Sequence, residues 1–352
     1  MSFFRRSVFE GRNYKCAAGN NCDTSNELRN RCRACRLRNC MDGGMNPRQV
    51  REERSKQKIE RSSEEQNLES EERKSPSDAQ LLTQFLCSLE RQTELLTDED
   101  VKDNDMMCDW SRDISLTFGL QNPQLVIRRS PMNWSCLRIM EAKDIYSQWY
   151  RAFVFHADWA MGIPDFRELS LEDQTKLFKQ NFMSFGWIAY AFKCYQHNQQ
   201  TVGIPLGNGA YIPYGDEEQR ELEPRWIASY GVVCKKLVDL IVKPMIELEM
   251  DEQEYCSLKA ISLFQQDCAL SECGALICYR VRERLLEGLA THIEQRFIQL
   301  SSKQRSIRAL KATLLLPTLT YIGQLESSVI SHLTISADDL HELSGVPMEL
   351  FG

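Results

Sequence analysis

The chain has 352 residues, of which 42% are hydrophobic and 26% charged, enough apolar material for a large core and enough charge to suit a soluble, intracellular protein. No stretch approaches the roughly 18 to 20 apolar residues a bilayer-crossing helix needs, and Met1-Ser2-Phe3-Phe4-Arg5-Arg6 lacks the apolar segment of a signal peptide. Charge is uneven. Residues 1–55 hold 12 Lys/Arg against 6 Asp/Glu, a net of +6, whereas the chain as a whole is −7, so the remainder carries −13. A basic head on an acidic body is the footprint of a nucleic-acid-binding module joined to something else, although a merely solvated basic terminus has the same charge.

Three regions are expected: a Cys-, Arg- and Asn-rich head over 1–55, a charged linker over 56–76, and an amphipathic body over 77–352. Five of the 14 cysteines fall between Cys16 and Cys40. Cys16, Cys22, Cys32 and Cys35 have the spacing C-x5-C-x9-C-x2-C, two pairs of soft ligands on separate turns of chain, as a tetrahedral zinc site requires. A helix should start within the last pair, from Arg33 to Cys40, with Cys40 packed beneath it rather than ligating. Unligated cysteines are the plainer alternative. The linker, from Lys56 to Pro76, contains almost nothing apolar and cannot bury enough surface to offset the entropy of ordering.

In the body, Leu81, Leu82, Phe85, Leu86 and Leu89 form a stripe at helical spacing, with Ser77 or Asp78 as cap. Residues 97–138 read as irregular. A long helix is expected from about Ala142 to Met161, ending before Pro164. Ser170-Leu171-Glu172-Asp173 has the form of a capping box and should start the next helix. Gly203 to Pro213 is the one place for a hairpin. Further helices are expected at roughly 226–243, 252–265, 271–287, 288–299 and 303–333.

Several segments together carry a family resemblance. Phe3-Phe4-Arg5-Arg6-Ser7, Tyr14-Lys15-Cys16, the run from Arg29 to Leu37, and Gly44-Met45 resemble the DNA-binding domain of nuclear hormone receptors, read from its middle to its end. That family uses two four-cysteine zinc modules. The first should precede Phe3, so the sequence starts where the recognition helix is already under way. The resemblance implies that Phe3 and Phe4 pack between two helices, that Arg5 and Arg6 face DNA, and that Arg29 and Arg36 hold phosphates. Phosphate contacts set register and salt dependence, while base contacts select sequence.

Residues 158–166, DWAMGIPDF, followed by Leu169 and Asp173-Gln174, resemble the signature joining the third and fourth helices of the receptor ligand-binding domain. Glu254 to Ile261 and Leu314-Leu315-Leu316-Pro317 resemble its eighth and tenth helices. The implied architecture is mostly α: a small zinc module followed by an all-α, three-layer helical sandwich. The C-terminal Val346-Pro347-Met348-Glu349-Leu350-Phe351 resembles the family's activation helix. On that reading Met348, Leu350 and Phe351 offer apolar contacts to a coregulator helix, Glu349 caps its N-terminal end, and Lys179 faces the other end. The lysine usual after Trp-Ala in the signature is Met161 here, which weakens the clamp.

The resemblance also implies a nuclear location, a dimer surface along the helix from Lys303 to Leu333, and a lipophilic ligand within a cavity. Trp149, Phe153, Met183 and Tyr190 are candidate lining residues and equally candidate core. An enzyme has little support, since no Gly-x-Ser-x-Gly, phosphate loop or His-Glu-x-x-His occurs. The leading expectation is a DNA-binding regulator of RNA polymerase II transcription. The alternative is a form that does not bind DNA directly and acts by dimerisation or coregulator sequestration.

Overall fold

The computed structural model describes residues 2–9, 14–19, 21–25, 28–45, 77–98, 114–265, 269–336 and 345–351. The expected linker over 56–76 lies outside them, as do residues 46–55 and the side chains of Arg5 and Phe351. The chain divides into two compact units, Met1–Lys74 and Ser75–Gly352.

Among its described residues the first unit has the helices α1 (Ser2–Phe9) and α2 (Arg33–Asp42), with Cys16 and Cys22 between them in sequence. Its α2 begins inside the last cysteine pair, as the spacing predicts, and ends where Gly43 and Gly44 return their N–H groups to the carbonyls of Asn39 and Met41. Gly44 has φ +87°, a conformation that costs glycine nothing. Among its described residues only Phe4 and Cys35 are buried hydrophobics. Within the described residues that is too little apolar burial to offset the entropy of ordering them.

The second unit starts with α3 (Asp78–Leu95), where Ser77 and Gln80 form a reciprocal capping box. After α4 (Leu116–Gln121) and a single turn at Pro123–Leu125 come β1 (Asn133–Ile139), α5 (Ala142–Gly162) and α6 (Leu171–Gln196). A hairpin of β2 (Gly203–Pro205) and β3 (Asn208–Pro213) follows. A helix with two wide π stretches, Ile227–Gly231 and Val238–Val242, covers 224–247 as α7. The remainder is α8 (Glu252–Leu263), α9 (Glu272–Arg296), α10 (Ser302–Thr313), α11 (Leu315–Ser336) and α12 (Val346–Phe351).

Three layers result. Every residue of α6 from Ser184 to Cys194 is buried, and so is every residue of α8 from Glu254 to Leu263. Helices buried all round belong in the middle. α3 and α5 pack against this centre on one side, α7 and α11 pack on α6 from the other, and α9 lies along α3 and α8. A buried ion pair sits between layers: Lys259 Nζ is 2.7 Å from Glu90 Oε2, and the ammonium lies 4.2 Å from the Trp159 ring centroid. The Tyr255 hydroxyl donates to the other Glu90 oxygen at 2.6 Å.

The structure corrects several expectations. The body is mostly helical but not wholly so, because β1, read as irregular, pairs in parallel with β3 and completes a three-stranded sheet. Its partner lies some 70 residues away, about the sequence distance from Ile139 to Tyr211, so no local alternation revealed it. The expected hairpin does form, with Ile204 opposite Ile212. There Gly203 approaches so closely that a Cβ would lie 2.0 Å from the Ile212 carbonyl oxygen. The helices expected at 271–287 and 288–299 are one, α9, because Gly288 serves packing and not termination: a Cβ there would meet the Ala79 carbonyl oxygen at 2.6 Å. Conversely, the helix expected over 303–333 is two, parted at Leu314, three residues before Pro317, whose ring cannot accept the turn that precedes it. Only half of the Ser170 box forms. Ser170 Oγ accepts the Asp173 N–H at 3.1 Å, but the Asp173 carboxylate instead accepts the backbone N–H and hydroxyl of Ser271, the cap of α9.

Candidate functional site

The four predicted ligands converge. The sulfurs of Cys16, Cys22, Cys32 and Cys35 all lie within 4.8 Å of one another, with Cys16 Sγ 3.6 Å from Cys22 Sγ and 3.7 Å from Cys35 Sγ. Zn–S bonds of about 2.3 Å at tetrahedral angles place sulfurs roughly 3.8 Å apart, so the donor set fits zinc in number, chemistry and spacing. The Cys22 thiol is pushed up to about 12, first by its hydrogen bond to Cys16 and then by that to Cys35. Four thiolates this close require a cation between them. Cys40, half-buried on α2, is not part of the cluster.

Around the cluster, Phe4 is buried and Phe3 stacks on Tyr14 with ring centroids 6.1 Å apart. Arg36, a predicted phosphate contact, lies over the Phe3 ring at 4.2 Å and donates to Asn30 Oδ1 at 2.7 Å, which holds its guanidinium in a fixed direction. Arg6 and Arg29 are exposed.

At the other end of the chain, α12 packs against α4, α5 and α11. Val346 and Leu350 are buried, whereas Met348 is 45% exposed. Glu349 Oε2 accepts the backbone N–H of Leu116, the first residue of α4, at 3.0 Å. Lys179 is exposed on α6 and lines, with Leu350, Thr320 and Gly323, a depression between α6 and α11.

A cavity of about 50 Å³ lies within the body. Three of the four candidate lining residues, Trp149, Met183 and Tyr190, border it; Phe153 instead packs edge-on against Phe178 in the core. Its polar wall escaped the sequence reading. Trp149 Nε1 donates to the Tyr230 hydroxyl at 3.1 Å, and Trp187 Nε1 donates to Glu326 Oε2. Burial pushes the Glu326 carboxyl up to about 8, against the pull of its hydrogen bonds to Trp187 and Tyr230. Both ring nitrogens of His156 and both amide atoms of Gln148 are buried without hydrogen-bond partners. Burial, and then the charges of Lys259 and Arg151, hold His156 well below the ordinary histidine range, so the ring is neutral. One sequence signal was available for Glu326: it is the lone acid among Tyr321, Ile322, Leu325, Val329 and Ile330.

Comparison with known proteins agrees with this geometry. Residues 130–320 match the profile described as the ligand-binding domain of nuclear hormone receptor, and residues 1–47 match the double treble clef zinc finger of C4 type. Nuclear hormone receptor family member nhr-100 of Caenorhabditis elegans is 28% identical over 345 residues, covering 92% of this chain and 77% of that protein. Hepatocyte nuclear factor 4-alpha of Xenopus laevis is 29% identical over 322 residues, covering 91% of this chain and 57% of its own length. Nuclear hormone receptor family member nhr-4 of Caenorhabditis elegans is 25% identical over 391 residues, covering 92% and 78%.

A four-cysteine zinc module on one unit and a layered helical ligand-binding domain on the other define a receptor-type transcription factor. The chain belongs to the nuclear hormone receptor family.

Proposed function

We propose that this chain is a nuclear regulator of RNA polymerase II transcription whose zinc module holds DNA and whose helical body selects coregulators. The observation that carries the proposal is the convergence of Cys16, Cys22, Cys32 and Cys35 on one site, within a basic segment on the same chain as a receptor-type body. Arg5, Arg6, Arg29 and Arg36 are assigned to DNA phosphates. The immobilised guanidinium of Arg36 supports that role, since a donor already fixed in direction loses little entropy on binding.

In the body, Met348, Glu349, Leu350 and Phe351 on α12, with Lys179 on α6, are assigned to coregulator docking. Dimerisation is assigned to α10 and α11, where Ile307, Leu310, Leu314 and Tyr321 are exposed large hydrophobics. The ligand is a lipophilic small molecule seated at the Trp149–Glu326 cavity. At about 50 Å³ the cavity admits water-sized molecules, whereas lipophilic ligands occupy roughly 300 Å³ or more, so entry requires its aromatic walls to part.

The test is the salt dependence of duplex DNA binding by the full chain, read by fluorescence anisotropy. Arg29→Gln should weaken binding evenly across sequences and reduce the slope of log K against log salt by about 1. An unchanged slope overturns the phosphate assignment. A chain that binds no duplex at any salt, yet still binds coregulators, acts by sequestering partners.

A further inference from the structure

In the body, α4 stands where the proposed function places a partner. Ser115 caps it by accepting the Phe118 N–H, and Leu116, Gly119 and Leu120 all face inward and are buried, while Phe118 is 49% exposed. Leu116 and Leu120 are only 1% and 0% exposed. Leu116 and Leu120, at i and i+4, are apolar anchors of the kind that seat a short amphipathic helix in a groove, and Gly119 between them lets the backbone approach its wall. The walls of this groove are α12, the end of α5 and the start of α6. A Cβ on Gly119 would stand 3.0 Å from Val346 Cγ2 and 3.0 Å from Val126 Cγ2, so α4 rests on α12 as closely as backbone allows.

Both ends of α4 are held. At its N-terminus Glu349 accepts the Leu116 N–H, the contact a carboxylate on α12 would offer to an incoming helix. At its C-terminus Gln121 Nε2 donates to Gln174 Oε1 at 2.7 Å and lies 3.9 Å from Met161 Sδ. Along its flank the Thr117 and Thr175 hydroxyls are 3.2 Å apart.

We propose that α4 is an internal occupant of the coregulator groove, so that the chain covers its own docking site and a coregulator binds only by displacing it. The inference rests on the reading of α12 as the docking helix, and it gives that site its regulation. It also accounts for Met161. A separate partner helix ends in free carbonyls that a lysine would satisfy, whereas α4 runs on into the chain. Asn122 returns both its backbone N–H (3.0 Å) and its Nδ2 (3.1 Å) to the Phe118 carbonyl, and the turn at Pro123–Leu125 follows. No cation is needed at that end. A helix of six residues is marginal by itself, which makes it displaceable.

The experiment titrates the full chain against a fluorescein-labelled amphipathic peptide of about 14 residues with leucines at i, i+3 and i+4. A groove open about one-tenth of the time raises the apparent Kd about tenfold. Releasing α4 by Leu116→Ser with Leu120→Ser, or by crowding it with Gly119→Val, should therefore tighten binding about tenfold. A reversible lock needs no destabilised fold. Thr117→Cys with Thr175→Cys, oxidised to a disulfide, should abolish peptide binding, and reduction should restore it, with each single cysteine variant insensitive to oxidation. If wild type and the oxidised lock bind as tightly as the released variants, α4 does not cover the groove and the inference fails while the docking reading stands. If no form binds, released variants included, the docking reading itself fails and takes the inference with it.

Discussion

The two units of this receptor are held together by opposite means. The helical body buries large aromatic side chains such as Trp159, Phe153, Phe178 and Phe185 completely, and its α6 and α8 are enclosed along most of their length. The zinc module has two buried hydrophobics among its described residues and four sulfurs gathered to one point. Apolar area stabilises the first; ligation must stabilise the second, because binding energy at a structural zinc site is folding energy. Loss of one ligand should therefore be all-or-none in the module, whereas loss of one side chain in the body should be graded.

The largest effect tests that contrast directly. Cys32→Ser in the full chain should eliminate stoichiometric zinc, measured by elemental analysis, and unfold the module, since structural zinc contributes on the order of 10 kcal/mol or more. The melting transition of the body should not move. Retention of zinc would refute the ligand assignment, and a body that melts with the module would refute the contrast. Next in size is the buried pair. Lys259→Met leaves Glu90 without its counter-charge at a site 0–2% exposed, and should cost about 3–5 kcal/mol, read as a fall of roughly 10 °C in the melting temperature of the body. Adding Glu90→Gln should recover part of that loss. No recovery would mean that the site depends on packing and not on charge.

The smallest effect is a slope. Glu326 has a folded value of about 8 against an ordinary value of 4.5, so between these the folded state binds a proton that the unfolded state has released. Stability from this group is therefore fully present below about pH 4.5 and is lost as pH rises through 8, at roughly 1–2 kcal/mol per unit where steepest. Glu326→Gln should flatten the decline in denaturant midpoint between pH 5 and 8. An equally steep decline in the variant would show that another group carries it.

The same contrast explains what was legible. A ligand set is written into local spacing, so Cys16, Cys22, Cys32 and Cys35 could be read from residue type alone, as could the α2 start inside the last pair. The long helices α5 and α6 were legible from the stop before Pro164 and from the Ser170 cap. β1 was not, because its partner is distant, nor was the union of 271–299 into one helix, because Gly288 answers to α3 and not to its own neighbours. The cavity was half legible: aromatic candidates were foreseen, while Gln148, His156, Tyr230 and Glu326 come from three different helices.

By itself, the sequence determined the metal site, the basic head and acidic body, and the helical class, since each follows from composition or from spacing within a few turns of chain. The tertiary structure alone decided where charges and short helices are spent. Glu349 and Leu116 are separated by 233 residues, and nothing local tells a carboxylate at a chain end whether it will meet a partner or its own backbone. Long-range contacts depend on the packing of every layer between them, and that information exists only once the core has closed.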